Sequence, residues 1–291
     1  MDKFGNTNYK INIRDINSFF ITKKIFSFLS RKHLLKMIMY NKLLQKKLFV
    51  DIEDYKKKGY IYKVGEKNGK GKEYLRGTNI LLFEGEYING KRNGKGKEYY
   101  KEDRIKFEGE FLNGKRWNGK GYNIKGILEF EIKNGNGKVK EYDYYGELLF
   151  EGDYLNGEKN GKGKKYDYFG KLEFEGEYLN GKKNGKGKEY NKEGKLEFDG
   201  EYLNGERNGK GKEYYDDNKL KFEGEYLKGK RWNGKGYNKN GIIDLYLKNG
   251  NGKGKEYDYY GNLEFEGEYL NGERNGKVKK YYENDNLKFE G

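Results

Sequence analysis

The chain has 291 residues and carries 62 Lys and Arg against 47 Asp and Glu, a net charge of +15. Gly (45) and Tyr (30) are abundant, Pro and Cys are absent, and hydrophobic residues make up only 33%. The missing cysteines exclude a disulfide framework and a thiolate zinc site. The low apolar content excludes a thick globular core. Aromatic residues at 17% exclude the composition of a disordered chain. A thin, regular structure remains.

The first element in chain order is residues 1–58, with 14 basic and 5 acidic side chains. Most of the net charge therefore sits there. Ser18 is placed to cap a short helix through Leu29, and Ser30 a second over Arg31–Leu48. The run from Ile25 through Phe26, Phe28, Leu29, Leu34 and Leu35 to Met37 resembles the middle of an F-box, over residues ~19–48. The Leu-Pro start and late Trp of that motif are missing. The resemblance implies that Ile25, Phe26, Phe28, Leu29, Leu34 and Leu35 dock to the Skp-type adaptor of a ubiquitin ligase. Two other readings stay open: a helical cap on the first repeat, and a basic amphipathic anchor on anionic phospholipid. The N-terminus lacks a secretory h-region and cleavage site, and no apolar run approaches a membrane span. The expected location is cytoplasmic, at most peripheral at a membrane or the cytoskeleton.

From residue 59 to 291 the chain repeats itself, and its charge is nearly balanced. Asn-Gly-Lys-Gly or Asn-Gly-Lys-Val recurs from Asn68 to Asn275, mostly at steps of 24 or 25 residues. The unit Lys171–Gly194 shows the pattern. Leu172, Phe174, Gly176 and Tyr178 alternate with Glu173, Glu175 and Glu177, the period of a strand with one packed and one wet face. Asn180 to Gly185 reads as a turn, since Asn-Gly supplies positive φ. Lys186–Tyr190 reads as the return strand, its lysines placed across from the glutamates of the first. A glycine such as Gly176, between two aromatic positions, predicts a ring of the neighbouring unit lying over it.

These residues resemble the MORN repeat, from Phe83, Phe107, Phe150, Phe174, Phe198, Phe222 and Phe265. Asn stands here where many family units carry His. The resemblance spans residues ~60–291 and implies a mainly β protein: an elongated, twisted, single-layer antiparallel sheet of hairpins, joined here to a small α-helical N-terminal domain. It also implies protein or lipid binding, sometimes self-association, and no reaction.

Two units break the rhythm. Trp117 and Trp232 enter what reads as the hairpin turn, beside Arg116 and Arg231, and each is followed by a shortened unit. Everything in this pair is offset by 115 residues, so the ten or so units form one block used twice. Each Trp either fills a notch left by the short unit or marks one of twin contact sites for a partner, with Arg116, Arg231, Phe174 and Tyr178 as further candidates. At a strand spacing of about 4.8 Å the array is about 90–100 Å long. The sequence stops within a unit at Leu287–Gly291, and an unpaired last strand predicts a homodimer through that edge.

Catalysis finds little to work with. After residue 58 there is no Ser, Cys or His, and Thr78 is the only Thr. The Glu residues recur identically in every unit, as a structural ladder does. Gly-Lys-Gly runs lack the Ser or Thr of a phosphate loop, and the alternating charge argues against nucleic acid. The reading is a non-enzymatic scaffold for protein partners, without metal or cofactor. The rival is a peripheral membrane module attached through residues 1–58.

Overall fold

The structure is a computed structural model that describes residues 61–76, 78–282 and 286–291. The expected N-terminal helices, with Ile25, Phe26, Phe28, Leu29, Leu34 and Leu35, lie outside the described residues. By its contacts the chain divides into two units, Met1–Lys63 with Tyr74–Asn79, and Val64–Glu73 with Ile80–Gly291. In the described part of the first, Tyr62 and Tyr74 stack at 5.3 Å between centroids, and Thr78 Oγ1 donates to the Leu75 carbonyl at 2.8 Å.

The repeat is built of antiparallel hairpins in chain order. Among the described residues twenty-one strands run from β1 (Ile61–Gly65) to β21 (Leu287–Glu290). They form a seven-stranded sheet, β1 to β7 (Leu128–Ile132), and a fourteen-stranded sheet, β8 (Gly137–Tyr142) to β21. β7 and β8 form no ladder: their backbones meet at an isolated bridge, Lys133 to Asn136, while Lys140 and Tyr142 bond Glu129 across the gap. The corresponding hairpin 115 residues later, β17 (Ile243–Lys248) and β18 (Asn251–Tyr257), keeps a full ladder.

A regular unit shows why the sequence folds this way. β11 (Leu172–Leu179) and β12 (Lys182–Tyr190) are joined by Asn180 and Gly181 alone. Both have positive φ, +50° and +81°, as the tight hairpin turn matched to strand twist requires. The expected six-residue turn is therefore too long. The second Asn-Gly lies inside β12, where the register slips between Gly176 and Tyr178; it makes a bulge. In the equivalent bulges Glu86 and Glu201 accept the N–H of Lys95 and Lys210.

Successive turns are stitched together. Gly181 N–H donates to the Lys159 carbonyl of the preceding unit at 2.9 Å, and Gly205 N–H to Lys183 at 2.8 Å. The bulge asparagine adds a second stitch: Asn93 Oδ1 accepts from Asn113 N–H at 3.1 Å, and Asn184 from Asn204 at 3.3 Å. The repeated Asn thus serves the next unit as well as its own turn.

Phe83, Phe107, Phe174, Phe198, Phe222 and Phe265 are all fully buried. Phe83, Phe174 and Phe198 each meet an aromatic ring of their own strand and one of the next unit edge-on, as Phe174 does with Tyr178 (5.5 Å) and Tyr202 (5.3 Å). The ring over Gly176 is Phe174 of the same unit, not one from a neighbour: a Cβ there would lie 2.7 Å from Phe174 Cζ and 2.6 Å from Gly187 Cα. The same Phe also covers the glycine of the return strand, 2.5 Å from a Cβ on Gly187, and at some units the neighbour's ring adds a looser contact there. A Cβ on Gly163 would lie 3.2 Å from Tyr178 Cε2, and one on Gly211 3.1 Å from Tyr226 Cε2.

Candidate functional site

The two faces of the sheet are built from different chemistry. On the aromatic face a second layer covers the rings. Phe174 pairs with Glu189 and Tyr178 with Lys183, so these charged side chains share the face of the rings. Lys183 Nζ sits 4.3 Å above the Phe174 centroid, and the Arg207 guanidinium 4.1 Å above Phe198. Each cation is then held by carboxylates. Lys183 pairs with Glu189 at 2.6 Å; Arg207 with Glu189 at 2.6 Å and Glu213 at 3.3 Å. Arg231 bonds Glu213 and pairs with Glu256 at 2.8 Å, and Arg274 bonds Glu256. In the first sheet Glu73, Arg92, Glu98 and Arg116 repeat the arrangement.

Burial by itself would raise the Glu98 carboxyl. The guanidiniums of Arg116 and Arg92 outweigh it and hold the group down at about 2. Glu213 is likewise pushed up by burial and pulled to about 2 by Arg231 and Arg207. Burial lowers Lys106 to about 8, against the pull of Glu98; its ammonium donates to the Tyr142 carbonyl. The ion-pair row is a roof over the ring layer, and it closes the core of a sheet that has no second sheet to pack on.

The opposite face is open. Glu175 pairs with Lys164 on one side and Lys188 on the other, and Glu177 with Lys162. The glutamates of one strand thus stand across from the lysines of its neighbours. Between these charged rows runs a row of glycines in direct register: Gly152, Gly163, Gly176, Gly187, Gly200, Gly211. With no side chain on either face, this row is a bare backbone floor. The result is a groove of ≈ 740 Å³ from Glu129 to Asp199, with a second of ≈ 970 Å³ from Val64 to Glu110 on the first sheet. Return-strand tyrosines brace its walls: Tyr190 Oη donates to Glu175 at 2.6 Å and Tyr166 to Glu151 at 2.7 Å. A periodic stripe of aliphatic residues borders this face: Leu155, Leu179 and Leu203 are about half exposed.

The residues singled out from sequence fall elsewhere. Phe174 is buried and Tyr178 nearly so. Arg116 and Arg231 are buried links of the ion-pair roof, bonded to Glu98 and Glu213. Trp117 and Trp232 lie within strands, β6 (Lys115–Tyr122) and β16 (Lys230–Tyr237), not in turns. They pack on the turns of the short hairpins. A Cβ on Gly135 would lie 2.8 Å from Trp117 Cζ3, and one on Gly250 2.6 Å from Trp232 Cζ3. Gly135 N–H and Gly250 N–H donate to the two Trp carbonyls at 2.8 and 2.7 Å. The groove was not singled out from sequence, although its signal was present in the glycine row and the alternating charge. Among the described residues no group of His, Cys, Asp or Glu could hold a metal, and no helix is long and apolar enough to cross a membrane.

Single-layer antiparallel hairpins with a repeated aromatic-glycine strand define a β-hairpin repeat protein. The family model of the MORN repeat matches six segments, residues 83–102, 107–118, 150–167, 174–195, 198–219 and 265–286. The chain carries six MORN repeats between residues 83 and 286. The matches leave out both shortened hairpins and Trp232, while Trp117 lies at the end of the second matched segment. No comparison supports the F-box-like resemblance at residues 19–48. No curated protein matches the chain. Among solved structures, one chain of the Photorhabdus luminescens Tc holotoxin pore (mutation TccC3-D651A) is similar at 11% identity and a TM-score of 0.13. The match covers 76% of this chain and 16% of that one, and no inference is drawn from it.

Proposed function

We propose that the chain is a non-catalytic scaffold that binds a protein partner along its Lys/Glu face. The glycine-floored groove carries this reading. It is open and flanked by charged rows and an aliphatic stripe, whereas the aromatic face is roofed by its own ion pairs. MORN repeats are a non-catalytic module, which supports the reading. The test is charge reversal on the groove wall. A partner identified by proximity labelling should bind the purified wild-type chain and lose binding to Lys186→Glu/Lys188→Glu, while thermal unfolding is unchanged. Full binding by the double variant rejects the groove.

A second reading rests on the basic excess of residues 1–58: attachment to anionic phospholipid through that segment. Liposome sedimentation compares the full chain with one beginning at Gly59. Pelleting of the full chain alone places the anchor at the N-terminus; pelleting of neither removes it. Capture of a Skp-type adaptor by the full chain tests the F-box-like docking segment. Homodimerisation would use β21, whose four residues are exposed along one sheet edge. A monomer by light scattering at tens of micromolar removes that interface.

A further inference from the structure

The chain contains its own control for one feature. The 115-residue duplication gives two shortened hairpins of nearly the same sequence, yet one is zipped and the other is not. In the second block Leu245 pairs with Gly254 and Leu247 with Gly252. The positions equivalent to Leu245 and Gly254 in the first block are Phe130 and Val139. There the backbones of β7 and β8 share only the bridge at their turn, although Tyr142 still bonds Glu129 across the gap as Tyr257 bonds Asp244 in the second block.

Glycine is required at position 254. A Cβ there would lie 2.3 Å from the Asp244 carbonyl oxygen and 2.6 Å from Leu245 Cα. These are backbone atoms and cannot swing aside. Along this row a large side chain stands between glycines: Gly236 pairs with Leu245, and Leu245 with Gly254. In the first block Gly121 still pairs with Phe130, but the next strand offers Val139, which is buried. Valine is tolerated in this row where it faces glycine. Val139 pairs with Gly152 on its other side, and Val278 pairs with Gly267 while exchanging both backbone hydrogen bonds with Gly291. A closed β7–β8 ladder would set Phe130 against Val139, two large side chains where the second block has one, and both are buried in the same cluster.

We infer that Val139 is a wedge, and that the β7–β8 seam it holds open is a hinge between the seven-stranded and fourteen-stranded plates. One groove, from Val64 to Glu110, lies within the seven-stranded sheet, and the other, from Glu129 on β7 to Asp199, runs across this seam. Motion at the seam changes the second groove and its angle to the first. The second block, without the wedge, is a continuous rigid stretch. The hinge stands on the duplication and the register alone, whatever the grooves bind.

Amide hydrogen exchange on the full chain tests this directly. Peptides covering Leu128–Tyr142 should exchange at least about tenfold faster than those covering Ile243–Tyr257. Val139→Gly should slow the first set to the rate of the second. Gly254→Val should do the reverse and open the β17–β18 ladder. Because the chain has no cysteine, spin labels at Lys120→Cys/Lys162→Cys and at the equivalent Lys235→Cys/Lys277→Cys give a second readout. The first pair should show the broader distance distribution, and Val139→Gly should narrow it. Equal exchange in the two wild-type hairpins, or exchange at the seam unchanged by Val139→Gly, overturns the proposal. So does a β17–β18 ladder that keeps its protection with valine at 254.

Discussion

The two faces of one strand behave as different materials. On β11 the odd-step neighbours Glu175 and Glu177 face solvent and pair across to lysines about half exposed, while Phe174 and Tyr178 are sealed beneath Lys183 and Glu189. Charge is present on both faces, yet it does opposite things. On the open face ion pairs are solvated, so each contributes little. On the aromatic face they are desolvated, shared between units and laid over rings, so removing one partner leaves a buried charge without compensation. The face that resembles a core carries the stability, and the face that resembles a surface is left open.

Substitutions across the two faces should break this contrast in a fixed order. The largest effect is expected at the ring layer. Phe198→Ala removes a fully buried ring that meets Tyr202 and Tyr226, and should cost about 4 kcal/mol in urea unfolding. Glu213→Gln comes next. It leaves Arg207 and Arg231 each short of a carboxylate and should cost about 3 kcal/mol at neutral pH. The same residue sets an acid limit. Its carboxyl titrates at about 2 in the folded chain against 4.5 ordinarily, so the folded state binds its proton later than the unfolded state does. The stability it contributes is complete above about pH 4.5 and is lost as pH falls through 2. A melting-temperature profile from pH 6 to 2 should fall in the wild-type chain and fall less in Glu213→Gln. Parallel profiles would remove Glu213 from the roof.

Period-two alternation made the ring layer legible in the sequence: Phe174, Gly176 and Tyr178 lie on one face as their spacing requires. The Asn180-Gly181 turn was legible for the same kind of reason, since two positive φ values admit few residues. The roof was not. β12 begins at Lys182, and its register slips by two residues between the Tyr178–Lys183 and Gly176–Gly187 pairs, so Lys183 and Glu189 stay on the aromatic face. Reading Asn180 to Gly185 as one long turn took Lys183 and its equivalents Arg116 and Arg231 out of the strand and hid their place over the rings. The signal that would have exposed it is the constancy of sign. A cation occupies the position of Lys183 in unit after unit, as Lys159, Arg207 and Arg274, where a merely solvated position would vary.

The glycine row tests both faces at once. Gly187→Ala places a Cβ 2.5 Å from Phe174 Cζ and should cost about 2 kcal/mol by displacing the ring layer, although the same residue forms part of the groove floor. The smallest effect belongs to the groove wall. Glu175→Ala removes a carboxylate set between Lys164 and Lys188 and the acceptor of Tyr190 Oη, and should cost less than about 1 kcal/mol. That small number is what allows the wall to serve a partner: its charges can be exchanged for binding without unfolding the sheet. If Glu175→Ala destabilises the chain as much as Glu213→Gln does, the open face is structural too. The distinction between a face that folds the protein and a face left free to bind then fails.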